Sequence, residues 1–131
     1  VILPDSSAWI DYLRGLDTPA RPALRAAIRD GLAVLCEPVW AEVTRGARDD
    51  RQQETIQRAL VAAPMIPTTR EDWENATTIG RITSRRGIVI RSFMDCLIAA
   101  IAVRSDATVL HSDVDFERIA SVFPLLDQTR G

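Results

Sequence analysis

The chain has 131 residues, 47% hydrophobic and 26% charged, which is the size and balance of one globular domain (1–131) able to bury roughly two-thirds of its unfolded surface. Sixteen basic residues against eighteen acidic ones leave a formal charge of −2, which excludes a bulk polycation that holds nucleic acid by charge alone. All sixteen basic residues are arginine, so any mechanism that needs a lysine is excluded too. No apolar run approaches the ~18 residues of a membrane helix. The start, Val1-Ile2-Leu3-Pro4-Asp5, carries neither a basic leader nor a cleavage signature, so no export is expected. Cys36 and Cys96 stand in no metal-ligand spacing and read as two reduced, buried thiols of a cytoplasmic protein.

Short apolar runs alternate with amphipathic stretches, the pattern of an α/β fold with a parallel sheet. Val1-Ile2-Leu3 reads as a buried strand, followed by a helix capped by Ser6 or Ser7, carrying Trp9, Ile10 and Leu13 and stopped by Gly15. Pro22 opens a second helix with Leu24, Ala27 and Ile28 on one face, ended by Gly31. Leu32 to Cys36 reads as the second strand, and Pro38 suits the first turn of a helix running to about Gly46. Residues 51–63 place Ile56, Ala59, Leu60 and Ala63 on a helical stripe, and Met65-Ile66 between prolines reads as an edge strand. Thr69 and Asp72 have capping-box spacing before a long helix to Arg86, closed by Gly87. Ser92 and Asp95 repeat that spacing before Cys96–Val103, apolar nearly all round and therefore expected to be central and buried. Thr108 to His111 reads as a strand, and Val122 to Leu126 as the last one.

Acidic residues recur at one edge of this arrangement. Asp5 ends the first strand, Glu42 lies on the helix after the second, Asp95 opens the buried helix, and Asp113 and Asp115 follow the strand ending at His111. In open α/β sheets the ligand crevice lies beyond the carboxyl ends of the strands. Carboxylates gathered there repel one another unless a hard cation such as Mg²⁺ or Mn²⁺ lies between them. Each residue alone has a plainer role: Asp5 as a helix cap, Glu42 on a solvated face, Asp95 as a cap, Asp113 and Asp115 in a turn, and His111 as a structural histidine. Asp95 is the hardest to reduce to that role, because Phe93, Met94, Leu97 and Ile98 surround it in sequence.

The blocks Asp5-Ser6-Ser7-Ala8-Trp9-Ile10-Asp11-Tyr12-Leu13, Glu42-Val43, Asp95-Cys96-Leu97-Ile98-Ala99-Ala100 and His111-Ser112-Asp113-Val114-Asp115-Phe116 resemble the PIN domain. The resemblance is greatest to its bacterial toxin branch, VapC of the type II toxin–antitoxin systems, and covers essentially the whole chain. It implies a three-layer α/β/α sandwich with a central, mostly parallel twisted sheet. It also implies a metal-dependent endoribonuclease using Mg²⁺, with Mn²⁺ as a substitute, and leaving a 5′-phosphate and a 3′-hydroxyl. Asp5, Glu42, Asp95 and Asp113 match the family's acidic quartet. Among them Asp5, Asp95 and Asp113 match metal ligands, Asp115 a further acidic position supporting a second metal, and Ser112 the hydroxyl that orients the site. The resemblance further implies a VapB-like antitoxin partner, a homodimer and a structured RNA substrate, a tRNA or ribosomal RNA loop.

Arg81, Arg85, Arg86 and Arg91 cluster just before the Asp95 helix, where they can follow an RNA backbone or simply decorate a solvated helix end. Trp9, Ile10, Leu13 and Trp40 suit either a groove for the antitoxin or the core. A receiver domain and a haloacid-dehalogenase-like phosphatase both need a lysine, and a flap- or exonuclease-type nuclease usually needs a longer chain. The non-enzymatic alternative is a catalytically silent PIN-like module kept for RNA binding or assembly, which would be expected to have lost quartet carboxylates.

Overall fold

A computed structural model describes residues 1–131. Strand β1 (Ile2–Pro4) leads into helices α1 (Ser6–Arg14) and α2 (Ala20–Arg29), then β2 (Leu35–Cys36), α3 (Glu37–Arg45) and α4 (Asp50–Leu60). The chain continues through β3 (Met65–Ile66), α5 (Arg70–Arg85), α6 (Phe93–Arg104), β4 (Thr108–Leu110), α7 (Val114–Val122) and β5 (Gln128–Thr129).

Every strand pairing is parallel: β1 with β4, β4 with β5, and β2 with β3. A single parallel bridge between Ile2 and Ala33 joins the two sets, giving the spatial order β3-β2-β1-β4-β5. Right-handed crossovers then place α1–α4 on one face and α5–α7 on the other. The packing agrees, since α1 lies on α2 and α3, α3 on α4, and α5, α6 and α7 on one another. The result is the expected α/β/α sandwich. The chain leaves β1 in one direction along the sheet and β4 in the other, so the point where the winding reverses lies between these two strands. That is where an α/β sheet opens a crevice.

Local chemistry explains the element ends. Asp5 accepts a hydrogen bond from the Ala8 N–H and caps α1, whose end is closed by Gly15 at φ +66°, a left-handed conformation. The expected capping box of α5 is present in both halves, Asp72 N–H to Thr69 Oγ1 and Thr69 N–H to Asp72 Oδ2. Ser92 caps α6 through the Met94 N–H, but Asp95 does not reach back to complete a box. From Asp95 to Ala102 every residue of α6 is buried, against α5, α3 and α7. The buried apolar residues form one connected cluster that includes Leu3, Trp9, Ile101 and Phe116.

Three expectations need correction. Helix α2 begins at Ala20 and not at Pro22, which sits within its first turn, where an N–H would have no helical partner anyway. The second strand shrinks to Leu35–Cys36, with Ala33 making a lone bridge. Residues 122–126 are not a strand: α7 ends at Val122, and the last strand is the polar pair Gln128–Thr129. Of the two tryptophans left open between groove and core, Trp9 is fully buried, in edge-to-face contact with Tyr12, whereas Trp40 is 40% exposed. No helix is long and apolar enough to cross a membrane. Cys36 and Cys96 are both free and buried.

Candidate active site

The reversal of the winding brings together side chains from four separate segments. Asp5, Ser6, Ser7 and Ile10 from the end of β1 and α1, Glu42 from α3, Arg91 and Ser92 just ahead of α6 with Asp95 in its first turn, and Asp113 and Asp115 from the start of α7 line one cleft of about 310 Å³. Asp5, Glu42, Asp95, Asp113 and Asp115, separated by up to 110 residues in sequence, therefore share one cleft. One carboxylate oxygen each from Asp95, Asp113 and Asp115 lies within 4.8 Å of the others.

The plain and the chemical readings of two of these residues hold together. Asp5 Oδ1 accepts from the Ala8 N–H (2.9 Å) and the Ser7 hydroxyl (2.7 Å), so Asp5 caps α1 while lining the cleft. Asp113 Oδ1 likewise accepts from the Asp115 N–H (3.0 Å) and caps α7. Glu42 accepts from the Ser6 hydroxyl at 2.8 Å. Asp95 differs from all of them. It is 8% exposed, and its carboxylate accepts no hydrogen bond from the chain.

The electrostatics follow from this. Burial pushes the Asp95 carboxyl up to about 8, with the neighbouring Asp113, Asp5, Asp115 and Glu42 adding to the effect. Asp5 rises to about 7, again chiefly by burial, with the Ser7 and Ala8 hydrogen bonds opposing and Asp113 and Glu42 adding. The cleft thus sets five carboxylates against the single guanidinium of Arg91 in its lining. An all-oxygen donor set of clustered carboxylates fits a hard divalent cation: Asp95 and Asp113 belong to the close group, and Asp5, outside that group but in the same cleft, keeps one oxygen free of hydrogen bonds. Asp115 is placed otherwise. Its side chain is fully buried, Oδ2 accepts from Arg91 and Oδ1 from Arg118.

A frame of hydroxyls and carboxylates holds the two strand ends together. The Ser112 N–H donates to Ser7 Oγ (2.8 Å), which itself donates to Asp5, and the Ser112 hydroxyl donates to Asp11 Oδ2 (2.6 Å). Asp11, buried and also accepting from Thr18, is the residue that the reading of the sequence left without a role. Its signal was its place six residues after Asp5, on the same helix as the cap. His111 is structural, as expected: Nδ1 accepts from the Asp113 N–H (3.1 Å), which leaves the Nε2–H to donate to Gln128 Oε1 (2.6 Å). Of the four arginines singled out, Arg81, Arg85 and Arg86 are exposed on α5 and its C-terminal end. Arg91 instead turns onto Asp113 and Asp115.

A PIN domain family model matches residues 2–122. Ribonuclease VapC11 of Mycobacterium tuberculosis is 36% identical over 125 residues, covering 93% of each chain. Ribonuclease VapC51 of the same organism is 32% identical over 107 residues, 79% of this chain and 78% of that one. Among solved structures, DNA-bound VapBC from Salmonella typhimurium superposes with a TM-score of 0.80 at 15% identity, covering 98% of this chain and 96% of that one. FitAcB from Neisseria gonorrhoeae gives 0.75 at 18% identity, covering 99% and 97%. With the acidic cleft at the switch point and these likenesses together, the chain belongs to the PIN domain family, in its VapC branch.

Proposed function

We propose that this protein is the toxin of a type II toxin–antitoxin pair, a single PIN domain that acts as a metal-dependent endoribonuclease. The observation that carries the reading is Asp95: an aspartate only 8% exposed, whose carboxylate opens on the cleft without a donor from the chain and stands among four further carboxylates. Such an arrangement costs folding energy and has no structural return. A silent binding module would have no reason to keep it.

Asp5, Asp95 and Asp113 would hold the cation, Mg²⁺ with Mn²⁺ as its substitute. Bound there, it would supply charge neutralisation at the phosphodiester and a more acidic water. The chain's own residues do the rest. Glu42, fixed by the Ser6 hydroxyl, orients the attacking water. Ser112 and Ser7 keep the Asp5 and Asp113 segments in register, with Asp11 as their buried anchor. Asp115, held by Arg91 and Arg118, supports the cluster or a second cation. Arg81, Arg85 and Arg86 are free to follow the RNA backbone, whose target by resemblance is a tRNA or ribosomal RNA loop.

The partner is a VapB-like antitoxin. A small groove lined by Ile10, Leu13, Val43 and Ile56 together with Arg14, Gln52 and Glu42 shares Ile10 and Glu42 with the acidic cleft, so a segment lying there can send a basic side chain into that cleft. The fully buried Trp9 takes no part in that surface. A homodimer in the cytoplasm completes the reading, in keeping with two free thiols. The test is incubation of the protein with structured RNA in Mg²⁺ or Mn²⁺ and in EDTA. Cleavage with 5′-phosphate ends, dependent on the cation and suppressed by the co-expressed antitoxin, is expected. RNA binding without cleavage in either cation would favour the silent module.

A further inference from the structure

The acidic cleft already contains a cation of the chain's own. Arg91 lies in the connection between α5 and α6 and makes three bonds to the cluster: backbone N–H to Asp115 Oδ2 (3.2 Å), Nε to the same oxygen (3.1 Å) and Nη2 to Asp113 Oδ1 (2.5 Å). Its guanidinium bonds to nothing else. The Arg91 side chain is 67% exposed, while that of Asp115 is wholly buried, so the guanidinium lies across the carboxylates on the solvent side. Asp113 and Asp115 are also two of the three carboxylates whose oxygens approach one another within 4.8 Å.

A guanidinium and a divalent cation compete for the same carboxylate charge. Arginine keeps its proton at any ordinary pH, so it can yield only by moving. A long, largely exposed side chain can do so, and the backbone N–H of Arg91, with Arg118, would still hold Asp115 after the guanidinium has left.

We propose that Arg91 is a place-holding residue: in the metal-free protein its guanidinium stands in for the cation at Asp113 and Asp115, and a divalent cation enters the cleft by displacing it. This rests on the nuclease reading of the cleft and adds its regulation. Metal affinity is set by a competition within the chain, and loading the site frees Arg91 for the RNA backbone.

The test is calorimetry of Mn²⁺ binding to EDTA-stripped wild type, Arg91→Gln and Arg91→Lys, with melts in EDTA alongside. Arg91→Gln should bind Mn²⁺ roughly tenfold more tightly, the loss of about one charge-assisted hydrogen-bonded pair. It should also melt lower than wild type in EDTA, because the carboxylates are left without a counter-ion. Arg91→Lys keeps the charge but not the fork, and should fall between the two. Equal or weaker Mn²⁺ binding by Arg91→Gln, with wild-type binding measurable, would overturn the place-holder alone. Binding by neither protein would remove the cation reading of the cleft as well. Independently of any variant, the hydrogen-bonded Arg91 Nε–H resonance of wild type should shift on adding Mg²⁺; its persistence unchanged at saturation would refute displacement.

Discussion

Asp72 and Asp95 occupy the same position in two helices that pack on each other, the third residue after a hydroxyl N-cap. Their surroundings are opposite. Asp72 is wholly buried yet fully bonded: it closes the capping box with Thr69 and pairs with Arg104 Nε (2.7 Å) and Nη2 (2.9 Å). Burial would raise its pKa, but the bonds from Arg104 and Thr69 outweigh this and hold it below the ordinary carboxylate value. Asp95 has burial and four carboxylate neighbours and no donor, and its pKa rises to about 8. One aspartate ties α5 to α6; the other is left wanting a cation. A satisfied buried charge marks architecture, and an unsatisfied one in a cleft marks a site.

The sharpest way to break this contrast is to make the same change at both positions. Asp95→Asn should lower RNA cleavage by at least about a hundredfold, since the cation loses a charged ligand. Its stability in EDTA should be equal to or above that of wild type, because the fold no longer has to hold a proton on a carboxyl that the unfolded chain would release. Asp72→Asn should do the reverse, costing about 3 kcal/mol by stranding Arg104, with cleavage per folded molecule unchanged. Urea unfolding in EDTA and RNA cleavage rates measure both.

The pH dependence sharpens it. Asp95 and Asp5 have folded pKa values of about 8 and about 7 against an ordinary 3.8. The folded state therefore holds protons that the unfolded chain releases, and metal-free stability is fully present below about pH 4 and is lost as the pH climbs to about 8, by up to about 1.4 kcal/mol per pH unit per proton. Asp72, with its lowered pKa, contributes in the other sense, and its stabilisation is lost as the pH falls below the ordinary carboxylate value of 3.8. Unfolding of wild type and Asp95→Asn from pH 4 to 8 in EDTA should show the variant with the shallower slope. A smaller effect concerns the pair itself: combining Asp72→Asn with Arg104→Gln should recover about 2 kcal/mol of what the two changes cost separately. Smallest of all, Ser112→Ala removes the bond to Asp11 and should cost about 1 kcal/mol with a severalfold loss of cleavage.

The two aspartates also show how far the sequence could be read. Spacing alone presented them as equivalents, Thr69-x-x-Asp72 and Ser92-x-x-Asp95. What separates them is Arg104, which meets Asp72 across 32 residues, and Asp5 and Asp113, which meet Asp95 through the sheet order. The carboxylate blocks were legible because they end strands at recognisable places. Helix α7 was missed although Phe116, Ile119 and Ala120 have helical spacing, because Asp113 and Asp115 looked like a turn; in fact Asp113 caps the helix. Strand β5 was misplaced because its residues, Gln128 and Thr129, are polar and pair only on one side, with β4. The inward turn of Arg91 depends on the loop between α5 and α6, for which no periodicity exists. Asp11 looked like a polar residue on an amphipathic helix until Ser112 was seen to reach it from 101 residues away.

The carboxylates gathered around Asp95 are proposed to hold a divalent cation. Thermal melts of wild type, Asp95→Asn and Asp72→Asn, each in EDTA and in millimolar Mn²⁺, test this directly. The cation should raise the wild-type melting temperature, by the equivalent of about 2.7 kcal/mol at a hundred times its dissociation constant. Asp95→Asn should lose most of that rise, and Asp72→Asn should keep it from a lower starting point. A wild type that melts at the same temperature with and without Mn²⁺, or an Asp95→Asn variant with an undiminished rise, would contradict the account.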